Sequence, residues 1–391
     1  MIKVHKGFAL LLSLAGGLAL VLVVLASLGS DALPASAAPS APQGELRVCA
    51  DGCAYTTVQA AIDAAQPGDV IQIASGVYTG TVSRAGLWQM AYITQSLTLR
   101  GGYNADFTAW DPALYTTTLD AEGTGRVVYV QGDITVTLEG LRLVNGYHSA
   151  SGAGVYADSA TLHVLSSTIG HNRVNPNFHG NFGVGLYIAN GTLMMQNSIV
   201  QENEPLPGGD YSHDGGGLYG YQSVVEIRDS QFLSNTAAFE DGGSCGTGGA
   251  IRLENCTSLL QRVTFRNNVA TTCNHGGGGI WTRIGSLRLL DSTFEGNTNG
   301  GAVVQTAGAL IAGNTFTGNV GDGLVVSSWG EPVVNITVTH NLLQDNTGCG
   351  LVVPVRAVSI IVEGNDLIGN GNSGLKLAAK SDTGAATTVI V

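Results

Sequence analysis

Titratable residues recur in this chain shortly before a repeated glycine, and their types suit acid–base chemistry. They are His213, Asp214, Asp241 and His275. A carboxylate beside a second carboxylate or a histidine could act as general acid and general base on a glycosidic bond. We therefore predict these four residues as catalytic candidates, with polysaccharide lyase and glycoside hydrolase as the enzyme classes. Asp214 or Asp241 should then lie within about 10 Å of a second carboxylate.

Two cysteines in the same loops allow two further roles for these residues. Cys245 lies four residues before its glycine, as His213 and His275 do, so the three should stack in register. A cluster of histidine, cysteine and aspartate could bind zinc, although one residue per coil makes three converging ligands awkward. Alternatively, Cys245 and Cys273 form a disulfide, and the polar loop tips are only solvated.

The repeated glycine opens a short phrase of glycine, an apolar residue, and a third residue that is often aromatic. The phrase occurs nine times between residues 154 and 376, at intervals of 22 to 32 residues. An asparagine recurs in step with it, three residues after an apolar side chain. These asparagines are Asn172, Asn203, Asn235, Asn268, Asn297, Asn319, Asn346 and Asn370. Such periods are typical of a solenoid, in which each coil covers the hydrophobic face of its neighbour.

Each repeat contains three short apolar runs separated by polar corners, which predicts an all-β parallel β-helix. In that fold each strand pairs with its equivalent in the next coil, about 4.8 Å along the axis. A leucine-rich-repeat horseshoe is disfavoured because the chain lacks the Leu-x-x-Leu-x-Leu pattern. Residues 56–65 are predicted to form a capping helix, with Thr56 or Thr57 as the N-cap. We expect the β-helix to span residues 49–391 and its C-terminal end to be uncapped.

Strand alternation assigns side chains to the two faces of the sheet that follows each glycine. The residue directly after the glycine is apolar and should point inward, so the next one should point outward. The outward residues would form an exposed aromatic stripe, with Ile251 in one coil. We predict substrate contacts from Tyr156, Tyr187, Tyr219, Tyr221, Trp281 and Arg283. Alternatively, the rings only cover one another and stabilise the sheet, by about 0.5–1.5 kcal/mol for each pair.

The segment from Tyr55 to Tyr78 resembles the N-terminal cap of the pectin-lyase-like right-handed β-helix superfamily. The coils of the form Gly-x-Tyr and Ser-x-Phe-x-x-Asn resemble its repeats, and the resemblance covers roughly residues 45–380. It implies a right-handed, single-stranded β-helix whose first sheet forms a substrate groove. The superfamily includes lyases, hydrolases, epimerases, adhesins and non-catalytic surface proteins. The chain lacks the Arg-Ile-Lys and Arg-x-Pro-x-x-Arg segments of its catalytic members, so no catalytic residue is transferred from them.

The N-terminus is typical of an exported protein. Residues 1–37 combine a basic start, an apolar run and an Ala-Ser-Ala cleavage site, so we predict a signal peptide, with an uncleaved anchor as the alternative. Residues 38–48 are predicted to be a flexible leader. Export places the body outside the cell or on its surface, where disulfides form. Cys49 and Cys53 are therefore a candidate pair.

Composition restricts the partners. The formal net charge of −12 argues against nucleic acid, which needs a basic surface. No cofactor is expected, although calcium could bridge the acidic surface to an anionic polymer. After signal cleavage no membrane span is expected, and the uncapped C-terminal end could pair end to end with another copy.

Together, these patterns predict a protein that binds a polysaccharide or a cell-surface glycan along the outer face of its first sheet, with cleavage left open. The alternative is a non-catalytic structural or adhesin-like surface rod.

Overall fold

The computed structural model describes residues 45–175, 177, 181–207, 213–237, 246–271, 276–326, 335–354, 359–378 and 388–390. Over these residues the chain winds into a parallel β-helix with three sheets, so the predicted fold class is confirmed. The predicted signal peptide, residues 1–37, lies outside the described residues. The predicted leader ends earlier than expected, because Glu45–Val48 already form a strand that pairs with Val70–Ala74.

The first sheet contains the strands that follow the repeated glycine and two earlier strands that pair with them. They are Leu87–Ile93, Arg126–Gln131, Val155–Asp158, Leu186–Ala189, Leu218–Tyr221, Ile251–Gln261, Ile280–Leu290, Ala302–Gln305, Leu324–Val326, Leu351–Pro354 and Leu375–Ala378. A short antiparallel strand, Val82–Arg84, pairs with the first of them.

The second sheet follows the first in each coil, and two strands of eleven residues, Ile251–Gln261 and Ile280–Leu290, run through the corner between them. The other strands of the second sheet are Glu45–Val48, Val70–Ala74, Leu97–Tyr103, Thr135–Glu139, Thr161–Leu165, Thr192–Gln196, Val224–Arg228, Gly308–Ala312, Ile336–Thr339, Ser359–Glu363 and Thr388–Ile390.

The third sheet has 11 strands among the described residues. They are Gly76–Thr79, Thr117–Asp120, Leu141–Val144, Thr168–Gly170, Ile199–Gln201, Gln231–Leu233, Thr264–Arg266, Thr293–Glu295, Thr315–Thr317, Leu342–Gln344 and Asp366–Ile368. Two-residue strands follow it in the longer coils: Tyr147–His148, Arg173–Val174, Glu204–Pro205, Asn181–Phe182, His213–Asp214, Thr236–Ala237 and Val269–Ala270.

One residue in the left-handed conformation turns the chain at most corners, with φ between 47° and 60°. Between the first and second sheets these residues include Ser159, Asn190, Gln222, Asn255 and Asn335. Between the second and third sheets they include Ser166, Asn197, Asp229, Arg262, Asp291 and His340. Short polar side chains tolerate this conformation better than β-branched ones. Stacked corner residues therefore set the length of each strand.

The core is one continuous column of apolar side chains from all three sheets. Its third-sheet wall contains the stacked rings of Phe232, Phe265, Phe294 and Phe316, with successive centroids 5.5, 4.5 and 4.5 Å apart. These are the apolar residues that the sequence places three positions before the recurring asparagines. The residues directly after the repeated glycine, such as Leu186, Leu218 and Ile280, are also fully buried, as predicted.

The recurring asparagines form a hydrogen-bonded ladder inside the molecule. Asn268 shows the pattern, since its side-chain nitrogen donates to Phe232 O at 2.9 Å and to Asn297 Oδ1 at 3.0 Å. Its Oδ1 accepts from the backbone nitrogen and the Nδ2 of Asn235, at 3.0 and 3.1 Å. Each buried amide is thus fully bonded to the coils on both sides, which is the condition for burying a polar group.

The repeated glycines pack directly against this ladder. A Cβ atom on Gly185 would lie 2.6 Å from Gly217 O and 2.8 Å from Asn203 Nδ2. Because such contacts are too close for a side chain, glycine and asparagine recur in step.

A second ladder, which the sequence analysis missed, lies at the corner between the second and third sheets. It consists of Ser167, Ser198, Ser230, Ser292, Asn314, Asn341 and Asn365. The backbone nitrogen of Ser167 donates to Ser198 Oγ at 3.2 Å, and that of Ser198 donates to Ser230 Oγ at 3.1 Å. The serines and asparagines bond alike across this corner, so no single residue type marks it in the sequence.

The N-terminal coil is covered by the helix Val58–Ala64, which lies within the predicted range. Thr57 is its N-cap and accepts a hydrogen bond from Ala60 N at 3.3 Å. Gln59 Oε1 accepts from Tyr92 N at 2.7 Å and so ties the helix to the first sheet. No helix among the described residues has the length and apolar character that a membrane crossing requires.

We predict that Asn268→Ala lowers the free energy of unfolding substantially, because it leaves groups of Phe232, Asn235 and Asn297 without their partner. Each buried group left unpaired costs about 1–3 kcal/mol. The neighbouring change Asn267→Gly is the control, since Asn267 is exposed and already has a φ of 55°. Urea unfolding followed by circular dichroism should show a clear loss for the first variant only, and equal losses would contradict the role of the ladder.

Candidate functional site

The outer face of the first sheet carries one column of side chains in register, one for each coil. Its members are Tyr92, Tyr129, Tyr156, Tyr187, Tyr219, Arg252, Trp281, Val303, Val325, Val352 and Lys376. We call the five tyrosines the tyrosine column. Strict parallel pairing places these residues above one another at the coil repeat of about 4.8 Å.

The column differs from the predicted aromatic stripe at one end and in the middle. Tyr92 and Tyr129 extend it by two coils that lack the glycine phrase. In the sixth coil from this end, Ile251 pairs with Leu218 and Arg252 with Tyr219. Ile251 therefore points inward, and its predicted outward position is wrong. Pairing with the neighbouring coil, rather than the position of the nearest glycine, decides which residues of that strand point inward.

Exposure of the aromatic residues also differs from the prediction. Tyr156, Tyr187 and Tyr221 are half-buried and Arg283 is exposed. Tyr219 and Trp281 point outward as predicted but are buried, at 4% and 9% exposure. Phe182 and Arg252 cover Tyr219, and Arg252 lies over Trp281, which pairs with Val303 on its other side.

The tyrosine rings stack face to face along the column. Successive centroids are 5.4, 5.0, 5.1 and 5.8 Å apart, with interplanar angles from 3° to 15°. Phe182 covers Tyr219 as well, with centroids 4.6 Å apart. Between neighbours no ring face is open, so a ligand on this surface meets ring edges and hydroxyl groups.

The phenol hydroxyls differ in how they are bonded. Tyr129 donates to Gln131 Oε1 and Tyr219 donates to Glu254 Oε2, both at 3.0 Å. Within the described part of the chain, the hydroxyls of Tyr156 and Tyr187 make no hydrogen bond to protein. These two groups are therefore available as donors and acceptors.

Burial disfavours ionisation of four of the five hydroxyls in the column. It raises the pKa of Tyr156 to about 12, and the nearby carboxylate of Asp158 adds to the increase. Burial likewise raises the pKa of Tyr129, Tyr187 and Tyr219. At neutral pH these four tyrosines thus present neutral phenols, which both donate and accept hydrogen bonds.

Arg252 replaces a tyrosine in the stack and joins it to Trp281. Its guanidinium carbon lies 5.5 Å from the ring centroid of Tyr219 and 4.5 Å from that of Trp281. A guanidinium at these distances from ring faces is held by a cation–π interaction. The stack therefore continues from the tyrosine column through Arg252 to Trp281.

Two carboxylates bind the same guanidinium from the side. Arg252 Nη1 pairs with Asp214 Oδ2, and Arg252 Nη2 lies 3.1 Å from Glu254 Oε2. The other oxygen of Asp214 accepts from the backbone nitrogen and the hydroxyl of Thr247, both at 2.8 Å. We call Asp214, Thr247, Arg252 and Glu254 the arginine cluster. Arg283, a predicted contact residue, lies at its edge, with Nη1 3.9 Å from Glu254 Oε1.

The arginine cluster changes the interpretation of the catalytic candidates. Asp214 does have a second carboxylate close by, since both bind Arg252, but that carboxylate is Glu254, which the sequence analysis missed. Both oxygens of Asp214 are engaged, and Asp214 and His213 are only 5% and 2% exposed. The alternative of solvated loop tips is therefore wrong for these two residues. Asp241 and His275 lie outside the described residues.

The structure describes one of the two predicted cysteine pairs. Cys49 and Cys53 are joined by a disulfide in the structure. Cys245 and Cys273 lie outside the described residues. Among the residues that are described, no three histidine, cysteine, aspartate or glutamate side chains converge as a metal site would require.

A second buried guanidinium lies beside Tyr129 and Tyr156 of the tyrosine column. Arg126 is 3% exposed, and its Nε and Nη2 donate to Ser151 O at 3.2 and 3.0 Å. Its guanidinium carbon lies 4.9 Å from the ring centroid of Tyr156. Burial lowers the pKa of Arg126 to about 10, and burial together with this cation lowers the pKa of His148 to about 4. The tyrosine column is thus packed against Arg252 at its Tyr219 end and against Arg126 at Tyr129 and Tyr156.

Comparison with known proteins agrees with the fold. Residues 216–389 match the family described as right handed beta helix region. No curated protein matches the sequence. The match agrees with the right-handed parallel β-helix that the sequence predicts.

Three solved structures illustrate the similarity. The pectin methylesterase of Aspergillus niger is 15% identical, with 90% of this chain and 94% of that chain covered and a TM-score of 0.35. The polygalacturonase of Erwinia carotovora ssp. carotovora is 10% identical over 92% of this chain and 100% of that one, with a TM-score of 0.36. The catalytic domain of a GH87 alpha-1,3-glucanase is 12% identical over 91% and 70%, with a TM-score of 0.38. At such identities and TM-scores these structures carry no information on the activity of this chain.

We predict that Arg252→Gln destabilises the protein by about 3–5 kcal/mol, because it leaves the buried carboxylate of Asp214 without its cation. Arg283→Gln is the matched control, and its effect should stay within about 1 kcal/mol because that side chain is 46% exposed. Denaturant unfolding of both variants gives the comparison. The double variant Asp214→Asn/Arg252→Gln should recover part of the loss, and a double variant no better than Arg252→Gln would show that the ion pair is not the cause.

The tyrosine pKa values predict alkaline instability. Because the folded pKa of Tyr156 is about 12 against an ordinary value of 10, folding favours the protonated phenol. Its stabilising contribution is complete below about pH 10 and is lost as the pH rises through 12. Melting temperatures measured from pH 8 to 11.5 should fall steeply above pH 10 and less steeply in Tyr156→Phe. An unchanged slope in Tyr156→Phe would contradict this assignment.

Proposed function

We propose that the protein binds a polysaccharide or cell-surface glycan along the outer face of its first sheet. The observation that carries the proposal is the tyrosine column, which presents one half-exposed or buried ring edge for each coil and free hydroxyls at Tyr156 and Tyr187. Phenol hydroxyls donate and accept, as sugar hydroxyls do, so the two sets can pair. The contact is made through ring edges, because the ring faces are stacked on one another.

A polymeric ligand suits this surface better than a small one. The column repeats every coil, with centroids 5.0 to 5.8 Å apart from Tyr92 to Tyr219. A repeating ligand lying along the axis could make the same hydrogen bond on several coils, and such weak contacts add up. The exposed Arg283 and the half-buried Tyr221 flank the column and would contact substituents of the ligand.

Binding is supported more strongly than cleavage. Asp214 is bonded through both oxygens, and it shares Arg252 with Glu254. These carboxylates hold the guanidinium in the stack, so we assign the arginine cluster a positioning role. Cleavage by a lyase or a hydrolase stays a prediction that involves Asp241 and His275. Export and location outside the cytoplasm are part of the proposal, on the basis of residues 1–37.

A structural role without any ligand is the second candidate, and the face-to-face stacking of the tyrosines favours it. Stacked pairs of this kind stabilise a sheet by about 0.5–1.5 kcal/mol each. The two functions make different demands on the hydroxyl group. A structural stack needs only the rings, whereas a binding surface of ring edges needs the hydroxyls.

We predict that the double variant Tyr156→Phe/Tyr187→Phe loses glycan affinity without losing stability. Each lost hydrogen bond should weaken binding by about 2- to 10-fold. The measurement is binding of the exported, full-length chain to a polysaccharide array, followed by titration of the best ligand. Melting temperature provides the parallel readout of stability.

Tyr115→Phe is the matched control, since Tyr115 is half-buried in the segment between the second and third sheets. It should bind as the parent does. Unchanged binding by the double variant would show that the hydroxyls do not contribute to glycan binding. A parent protein that binds no polysaccharide, together with a Tyr187→Ala variant that melts at a much lower temperature, would favour the structural function instead.

A further inference from the structure

A groove with free polar groups follows the corner between the first and second sheets, away from the tyrosine column. It encloses about 490 Å³ and extends from Asp133 to Thr257, over five successive coils. Five coils correspond to about 19 Å along the axis. A groove of this length fits an extended chain better than a compact ligand.

Small residues form the floor of the corner groove. Ala160 and Ser223 are buried, at 3% and 5% exposure, and Gly191 lies between them. A Cβ atom on Gly191 would collide with the carbonyl oxygen of Ala160. The close approach of neighbouring coils therefore excludes a larger side chain at this point and keeps the groove open.

One wall of the groove is a row of threonines. Thr161 pairs with Thr192, which pairs with Val224, which pairs with Thr257, so these residues stack in register at the start of the second-sheet strands. Thr161 and Thr192 are half-buried and Thr257 is exposed. Among the described residues none of the three hydroxyls has a hydrogen-bond partner in the protein.

The other wall consists of corner residues in the left-handed conformation. Gln222 and Asn255 have φ values of 47° and 54°, and their amides make no hydrogen bond within the described part of the chain. Asn190 lies in the same row, and its Nδ2 donates to Asp158 Oδ1 at 3.1 Å. Free amides thus face free hydroxyls across the floor.

The charge of the groove selects the ligand chemistry. Asp133 is the one ionisable residue among those that line it. A phosphate or carboxylate polymer would find no cation there, and a cationic ligand would find a single carboxylate. Uncharged hydroxyl groups match the row of amides and threonine hydroxyls.

We infer that the corner groove is a second carbohydrate site, which binds an uncharged oligosaccharide through the threonine hydroxyls and the amides of Gln222 and Asn255. The inference goes beyond the proposed function, since the groove shares no residue with the tyrosine column. A ligand in the groove would hydrogen-bond to equivalent side chains of successive coils. Its units would therefore follow the coil repeat.

The test is a triple variant of the full-length chain, Thr161→Val/Thr192→Val/Thr257→Val, which removes three hydroxyls and keeps the size of each side chain. The control is Thr264→Val/Thr293→Val/Thr315→Val on the outer face of the third sheet, where the threonines stack in the same way. Valine suits strand positions as threonine does, so both variants should fold. The probes are uncharged oligosaccharides of glucose, mannose and galactose, titrated by calorimetry.

We expect at least one of these oligosaccharides to bind the parent, the control and Tyr156→Phe/Tyr187→Phe with similar affinity, and to bind the corner variant about 10-fold more weakly or not at all. Equal affinity in the corner variant would overturn the inference, as would a parent protein that binds no uncharged oligosaccharide at millimolar concentration. Loss of this binding in the tyrosine variant, with the corner variant unaffected, would overturn it too and would assign the sugar to the tyrosine column. If the tyrosine column bound no glycan, the corner variant would still bind the uncharged oligosaccharide more weakly than the parent does.

Discussion

Hydrogen bonds between buried asparagine side chains hold each coil in register with the next. In the middle of the ladder both hydrogens of the amide and its oxygen are bonded to neighbouring coils. A shift of one residue would leave those groups buried without partners, which is far more costly than the loss of one exposed bond. The stacked phenylalanines, the tyrosine column and the corner groove all require that equivalent residues lie above one another. In each case the strict register maintained by the ladder supplies that condition.

The sequence predicted those parts of the fold that depend on period. The inward apolar residues, the asparagines and the capping helix all follow from spacing and local propensity. The phase of each strand, that is, which of its residues point inward, was harder to predict than the period. The phrase that begins at Gly249 predicts an outward Ile251, but pairing of Ile251 with Leu218 turns it inward and brings Arg252 into the column. Tyr92 and Tyr129 were missed because their coils have no glycine phrase, although pairing with later coils places them in the same column.

Alternation along a strand predicted the side on which a residue lies but not its exposure. Tyr219 and Trp281 point outward and are nevertheless buried, because Phe182 and Arg252 cover Tyr219 and Arg252 lies over Trp281. The same packing explains why Asp214 is a ligand of Arg252 instead of an exposed acid. Contacts of this kind join residues about thirty positions apart or more, and a single sequence carries no signal for them. The sequence therefore predicted a surface of open ring faces, whereas the structure presents ring edges, hydroxyls and one shielded guanidinium.

The central claim is that the tyrosine column contacts a glycan through its hydroxyl edges while the rings stay stacked. A crystal structure of the full-length protein with its best-binding oligosaccharide tests this most directly. We expect the sugar on the outer face of the first sheet, with its hydroxyls at hydrogen-bond distance, about 2.7–2.8 Å, from the hydroxyls of Tyr156 and Tyr187. The ring spacings should be unchanged. A sugar stacked on a ring face that has opened by rotation of a tyrosine, or a tyrosine column left bare with the ligand elsewhere, would contradict the claim.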